Sequence, residues 1–311
     1  MSRTFFDQLE IPNPNYNLGV GSGLHGEQTS RMLKSLEPIL IEENPDLVVL
    51  YGDTNSTLAG AICASKLDIE IGHVEAGLRS FNQKMPEEIN RVLTDHCSLY
   101  LFCPTETAVT NLFKEGITEG VHLTGDVMCD VLVNNIPIAN EQSGIIERLE
   151  LEPSTYHLLT LHRPQNVDNQ AKLMEILSAL REIKTQIVWP IHPRAKKMLD
   201  ENKDSLIIPK NIKIVKPLPY IDFLCLENYS DFILTDSGGI QKEAYMLKKP
   251  CVTLRDETEW VETVTEGWNI LTGTDKKKIV SAINSFKMPS THSSFYGTGN
   301  ATEKILEVIT T

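Results

Sequence analysis

With 311 residues, 41% of them hydrophobic and 23% charged, the chain has the composition of an ordinary globular protein of two domains at ~150 residues each. Its net charge of −13 excludes nucleic acid or an anionic membrane as the main partner, because both select clustered Lys and Arg. No apolar run approaches the ~18 residues of a membrane span, no C-x-x-C pair suggests zinc or redox work, and the opening residues carry no signal-peptide pattern, so a reduced, cytoplasmic protein is expected.

Met1 to Leu9 reads as a helix, not as the opening strand of a doubly wound domain, so the first domain is expected to be short by about one strand–helix–strand segment. Helix patterns then cover 28–43, 55–66, 86–96 and 106–115, and between them apolar runs at 47–52, 69–74 and 99–103 read as strands. Pro137, Asn140, Ser143, Gly144 and Pro153 cluster over 136–155 and suggest a linker. Beyond it, strands are expected at 157–161, 187–191, 212–216, 231–235 and 251–254, and helices at 168–184, 220–228, 238–248 and 275–286. The strands are near-continuous in apolar residues, as strands buried on both faces are. Alternation with helices predicts an α/β protein with parallel sheets.

Residues able to carry chemistry gather where these strands end. The strand 231–235 runs into Asp236, and Ser237-Gly238-Gly239 opens the next helix. Free N–H groups at such a helix start attract phosphate, and glycine lets it come close. Glu243, nearly two turns on, lies on the same side and can accept from ribose hydroxyls. His162 and Arg163 close the strand 157–161, and His192-Pro193-Arg194 closes the next one, which suggests an anion-binding crevice. In the first half, Asp53 follows the strand 47–52 and Glu75 follows 69–74, flanked by His73 and Arg79. Glu87 and Glu88 sit behind Pro86 in a first helical turn, where simple attraction to the helix dipole is a sufficient explanation for both. Carboxylates facing an anion site suit removal and return of a proton at carbon. No His/Cys cluster has metal spacing and no G-x-G-x-x-G occurs, so neither a metal nor a nicotinamide cofactor is expected.

Taken in order, Gly52-Asp53-Thr54, His73-Val74-Glu75-Ala76-Gly77-Leu78-Arg79, Pro86-Glu87-Glu88-Ile89-Asn90-Arg91, Pro104-Thr105-Glu106 and Thr235-Asp236-Ser237-Gly238-Gly239-Ile240-Gln241 resemble the non-hydrolysing UDP-N-acetylglucosamine 2-epimerases over essentially the whole chain. The resemblance implies a glycosyltransferase-B-like fold of two Rossmann-like domains with the ligand between them. The expected division is 1–140, 141–299 and a last helix, 300–311, returning to the first domain. It also implies interconversion of UDP-GlcNAc and UDP-ManNAc for polysaccharide biosynthesis, with no cofactor, in a homodimer. UDP would be eliminated to a glycal, which is reprotonated on its other face before UDP returns. Asp53, Glu75 and Glu87 would form the acid/base group, with His162 beside the departing UDP. Arg163, Ser237, Gly238 and Gly239 would hold the diphosphate and Glu243 the ribose. Arg31 and His192 match positions that help bind a second, activating UDP-sugar.

The family's opening Gly-Thr-Arg-Pro-Glu motif and its later Gln-His pair have no counterpart, so the chain is expected to begin just after them. Stretches 79–86, 125–130 and 256–262 resemble a branch that includes epimerases of UDP-2,3-diacetamido sugar acids. Rival readings are a hydrolysing epimerase, a retaining glycosyltransferase and an inactive, truncated UDP-sugar-binding remnant.

Overall fold

The computed structural model describes residues 11–311. The helix expected over Met1 to Leu9 lies outside these residues. Two compact units are present: one joins Asn13–Val131 to Ser294–Thr311, and the other is built on Leu132–Ser293.

The first unit carries a four-stranded sheet in the order β1-β2-β3-β4, from Leu47–Tyr51, Glu70–Val74, Tyr100–Cys103 and Val121–Leu123. All its pairings are parallel. Tyr51 lies opposite Val74 and Val74 opposite Phe102, so the turns after β1, β2 and β3 leave the same edge of the sheet. Ile71 packs with Leu40, Cys63 and Ala64 of two helices, His25–Glu43 and Asn55–Lys66. Val74 and Phe102 pack instead with Ile305 of the last helix, Ala301–Ile309. That helix is seated by Asp130, whose carboxylate accepts from the backbone N–H groups of Ala301 (3.0 Å) and Thr302 (2.7 Å). Asp130 thus takes over two of the donors that a helix start leaves unpaired. Gly125, at φ +89°, allows the backbone of Tyr296–Gly297 to come close.

The second unit carries a six-stranded parallel sheet, β10-β9-β8-β5-β6-β7. Its strands are Tyr156–Thr160 (β5), Gln186–Pro190 (β6), Ile212–Val215 (β7), Phe232–Thr235 (β8), Cys251–Thr253 (β9) and Asn269–Leu271 (β10). Successive residues of one strand enter opposite cores. Leu159, Ile187 and Leu234 join one cluster, whereas Leu158, Val188 and Ile233 join the other. Both faces are therefore covered, which is why these strands read as unbroken apolar runs.

One expectation fails outright. The stretch expected to be a linker over 136–155 is largely helical, with Val127–Gln142 followed by Ile145–Arg148. Pro137 stands inside the longer helix. A proline there forfeits one backbone bond and kinks the helix, which packing offsets without ending it.

Candidate functional site

In the first unit, Gly52 (φ +67°) turns the chain out of β1, and Asp53 follows it. The backbone of this turn is clamped from two sides. His73 Nε2 donates to the Gly52 carbonyl at 2.9 Å, and Asn90 Nδ2 donates to the Asp53 carbonyl at 2.8 Å. The Asp53 carboxylate accepts from Arg91 Nη2 at 2.6 Å. Burial pushes the Asp53 carboxyl above its ordinary range; Arg91 opposes this, while the charges of Glu75 and Glu87 add to it. Glu75 and Glu87 thus each lie near enough to Asp53 for their charges to act on it.

Glu75 follows β2 at φ +72°, a left-handed conformation in a residue with a full side chain. Such a residue is strained by on the order of 1–3 kcal/mol and persists only where its surroundings enforce it. The turn around it is held by backbone bonds, from the Gly52 N–H to the Val74 carbonyl (3.2 Å) and from the Ala76 N–H to the Phe102 carbonyl (3.1 Å), and by Asp95 of the helix Pro86–Cys97. Its fully buried carboxylate meets His73 Nδ1 at 2.6 Å and accepts from the Gly77 N–H at 3.1 Å and from Arg79 Nη1 at 2.7 Å. Arg79 continues the chain to Glu115 through two bonds of 2.7 Å. Burial alone would raise the Asp95 carboxyl, but His73 and Arg79 outweigh it and hold it below the ordinary range. His73 and Arg79, which flank Glu75 in sequence, therefore hold the turn rather than line its open side.

Glu87 and Glu88 separate clearly. Glu88 is buried and accepts from the Ser80 N–H, the Phe81 N–H and Arg91 Nη1, each at 2.8 or 2.9 Å. It fixes the loop before its helix. Glu87 is half-exposed. Arg31 is exposed and pairs with Glu27 at 3.8 Å on its own helix.

In the second unit, β5 pairs with β6 at His157↔Ile187 and with β8 at Thr160↔Thr235. The same offsets bring His162 beside His192 on one side and Ser237 on the other. The two imidazole rings lie 6.1 Å apart, and all three residues line one cavity of about 250 Å³ with Thr160, Leu161, Pro217 and Phe223. His192 therefore shares a pocket with His162. Burial, His162 and Arg194 all push the His192 imidazole below its ordinary range, and its Nδ1 accepts from the Arg194 N–H at 3.2 Å.

Ser237 precedes the helix Gly238–Met246, and its hydroxyl makes no capping bond there. A Cβ on Gly238 would come within 2.4 Å of a Glu259 carboxylate oxygen, so any larger residue would have to displace Glu259 from its pairing with Arg255 at 3.0 Å. Gly239 follows in the first turn. Glu243 is buried and accepts from the Tyr220 hydroxyl at 3.3 Å. Near it Glu227 is fully buried, and burial together with the Glu243 charge pushes its carboxyl well above the ordinary range.

Sequence reasoning passed over Asp236 as a strand terminus. Its fully buried carboxylate accepts from the His162 N–H (3.1 Å), the Arg163 N–H (3.1 Å) and Asn166 Nδ2 (3.1 Å), and stands 3.2 Å from His162 Nδ1. Its carbonyl accepts from Arg163 Nε at 3.0 Å. Burial would raise this carboxyl, but the His162 bond and charge and the two backbone donors hold it low. One signal was present: an acid directly after the strand Phe232-Ile233-Leu234-Thr235 seldom lies buried unless it is bonded.

The family model for UDP-N-acetylglucosamine 2-epimerase matches residues 1–310. A UDP-N-acetylglucosamine 2-epimerase homolog of Methanococcus maripaludis is 52% identical over 313 residues, covering 99% of this chain and 88% of that protein. The UDP-2,3-diacetamido-2,3-dideoxy-D-glucuronate 2-epimerase of Pseudomonas aeruginosa is 43% identical over 317 residues, covering 99% and 87%. The crystal structure of Methanocaldococcus jannaschii UDP-GlcNAc 2-epimerase in complex with UDP-GlcNAc and UDP superposes with a TM-score of 0.93 at 48% identity, covering 100% of this chain and 88% of that one. The two parallel sheets share the fold of that structure, and with a family model over nearly its whole length and a relative at 52% identity, the chain belongs to the UDP-N-acetylglucosamine 2-epimerase family.

Proposed function

We propose that the chain is a cytoplasmic UDP-N-acetylglucosamine 2-epimerase of the non-hydrolysing type, interconverting UDP-GlcNAc and UDP-ManNAc for polysaccharide biosynthesis. The observation that carries this reading is the pair of turns after two neighbouring strands, one bearing Asp53 and clamped by His73, Asn90 and Arg91, the other bearing Glu75, held in a strained conformation. A carboxylate removes the proton on carbon 2 as the bond from carbon 1 to the UDP oxygen breaks, the electron pair leaving with the diphosphate. The glycal is reprotonated on its other face, and the UDP oxygen adds back to carbon 1. Asp53, raised above its ordinary range, is suited to carry a proton that Glu75 or Glu87 accepts, since acid and base must differ in proton affinity.

The diphosphate fits the Ser237-Gly238-Gly239 helix start with His162 and Arg163, and Glu243 is suited to the ribose. Leu218 and Phe223 give the same cavity an apolar wall for a base. Control by a second, activating UDP-sugar and a homodimeric assembly complete the reading; sigmoidal dependence of rate on UDP-GlcNAc tests the first and light scattering the second.

The decisive experiment is turnover in heavy water. Deuterium should enter carbon 2 of the product, and Glu75→Gln should lose ~10²–10⁴-fold in rate while keeping its affinity for UDP. Product without deuterium overturns the mechanism, and release of free N-acetylmannosamine with UDP would favour hydrolysis instead. The 43% identity to the Pseudomonas enzyme supports one second reading, a UDP-2,3-diacetamido sugar acid as substrate. The ratio of kcat/KM for the two sugars decides between them.

A further inference from the structure

We propose that Asp236 is the positioning residue for His162, fixing its imidazole with the Nδ1 hydrogen toward the buried carboxylate and Nε2 toward the cavity. The inference rests on the reading that this cavity receives the diphosphate, and it adds a residue and a defined tautomer to it.

The geometry is that of a buried acid holding a strand-end turn. Asp236 has no exposed surface, whereas the His162 side chain is 42% exposed. One carboxylate oxygen stands 3.2 Å from His162 Nδ1 and also accepts from the His162 N–H; the other accepts from the Arg163 N–H and Asn166 Nδ2. Asn166 is itself buried, and its second bond runs to the Leu254 carbonyl at 2.9 Å, which ties the turn to β9. A carboxylate can only accept, so the imidazole nitrogen facing it bears a hydrogen. The ring then presents Nε2 to the pocket that Ser237 shares. The partner of one imidazole nitrogen sets which state the other can show a ligand. With its ring orientation fixed beforehand, His162 meets an entering or departing phosphate oxygen without a search among rotamers, and less freedom is lost on binding.

Asp236→Asn keeps the shape and replaces one acceptor oxygen by a donor. Long-range ¹⁵N NMR of the full chain at alkaline pH, with His162 assigned through His162→Asn, should show hydrogen on Nδ1 in the parent. Asp236→Asn should move it to Nε2 and weaken UDP binding ~10-fold by calorimetry, the low end of what loss of a group orienting a metal-bound histidine costs. In a His162→Asn background the same substitution should cost clearly less UDP affinity than in the parent, the remainder passing through Arg163, whereas a purely structural role would weaken binding equally in both backgrounds. A parent His162 with its hydrogen on Nε2, or equal losses in the two backgrounds, overturns the proposal. Should Asp236→Asn fail to fold, the parent spectrum alone decides. The expected tautomer in a parent that does not bind UDP would sink the nucleotide reading and leave the Asp236–His162 pairing standing.

Discussion

Asp95→Asn is the substitution that most directly tests how the turn bearing Glu75 is held. The parent carboxylate is fully buried and meets three donors at 2.6, 3.1 and 2.7 Å. Asparagine has the same outline but one acceptor oxygen, so an amide N–H must face His73 or Arg79, both of which already present a donor. Removing one member of a buried ion pair costs ~3–5 kcal/mol. Arg79 keeps its two bonds to Glu115, which places the loss near the lower end, at ~3 kcal/mol. At roughly 2–4 °C per kcal/mol for a unit of this size, the Tm of the first unit should fall by about 6–12 °C. Scanning calorimetry of the full chain measures this. A Tm within about 2 °C of the parent would mean that the buried network contributes no net stability, as replacement of some buried ion pairs does, and the argument for an enforced Glu75 would fail with it.

Four further outcomes follow from the same structure. Arg91→Lys should lower turnover by at least ~10-fold with UDP affinity kept, because a single ammonium cannot reach Asp53 and Glu88 together as the guanidinium fork does; steady-state kinetics with calorimetry checks it. Gly116 and Gly120 both lie at positive φ, but a Cβ meets open space at the first and the Leu99 carbonyl oxygen at 1.9 Å at the second. Denaturant unfolding should therefore give a loss of ~1 kcal/mol for Gly116→Ala and clearly more for Gly120→Ala. The lowered carboxyls of Asp95 and Asp236 give stability that is complete above the unfolded-chain value of roughly 3.9 and is lost as pH falls through their lower folded values, so acid titration of Asp95→Asn and Asp236→Asn should show a shallower loss than the parent. His73 is fully buried and His162 is 42% exposed at its side chain, so His73→Asn should lower Tm while His162→Asn should lower UDP affinity and rate with Tm nearly unchanged.

The parallel strands and the helices beside them were legible because burial on both faces writes itself as unbroken apolar runs. The strands Val121–Leu123 and Asn269–Leu271 were not, since His122 and Asn269 interrupt these short runs, whereas Cys251–Thr253, equally short, runs on into Leu254. The helix Val127–Gln142 was hidden by Pro137, whose local preference packing overrides. In the site, the acids and the Ser-Gly-Gly turn stand at strand ends, a position that periodicity can locate. Their supports could not be read in the same way. On the helix Pro86–Cys97 the buried residues include Glu88, Asn90, Arg91 and Asp95, while Ile89 and Leu93 are exposed. Reading its face from hydrophobic periodicity points the helix the wrong way round, because the charges inside are satisfied by partners distant in sequence.

Those supports share one design in the two units. Each unit has a buried aspartate at the end of its network that accepts from a histidine on or just beyond a strand and from backbone N–H groups of the turn that follows. The physical need is the same in both. Where a parallel strand stops, the ladder no longer supplies acceptors, and buried N–H groups left without one are costly. A loop could turn those groups to water, but then nothing would hold its side chains. A buried carboxylate satisfies several donors from one point and makes the turn rigid. Rigidity is what allows Glu75 to remain at φ +72° and His162 to keep one ring orientation. The two aspartates differ in what their histidines can reach. Asp95 closes its network inward through Arg79 to Glu115, so its product is backbone geometry. Asp236 leaves its histidine half in the open, so its product is a side chain ready for a ligand. The same local solution thus yields a buried scaffold in one unit and, on the proposed reading, a binding group in the other, and the difference lies in whether the histidine is enclosed, as His73 is with its Nε2 on the Gly52 carbonyl, or lines a cavity, as His162 does.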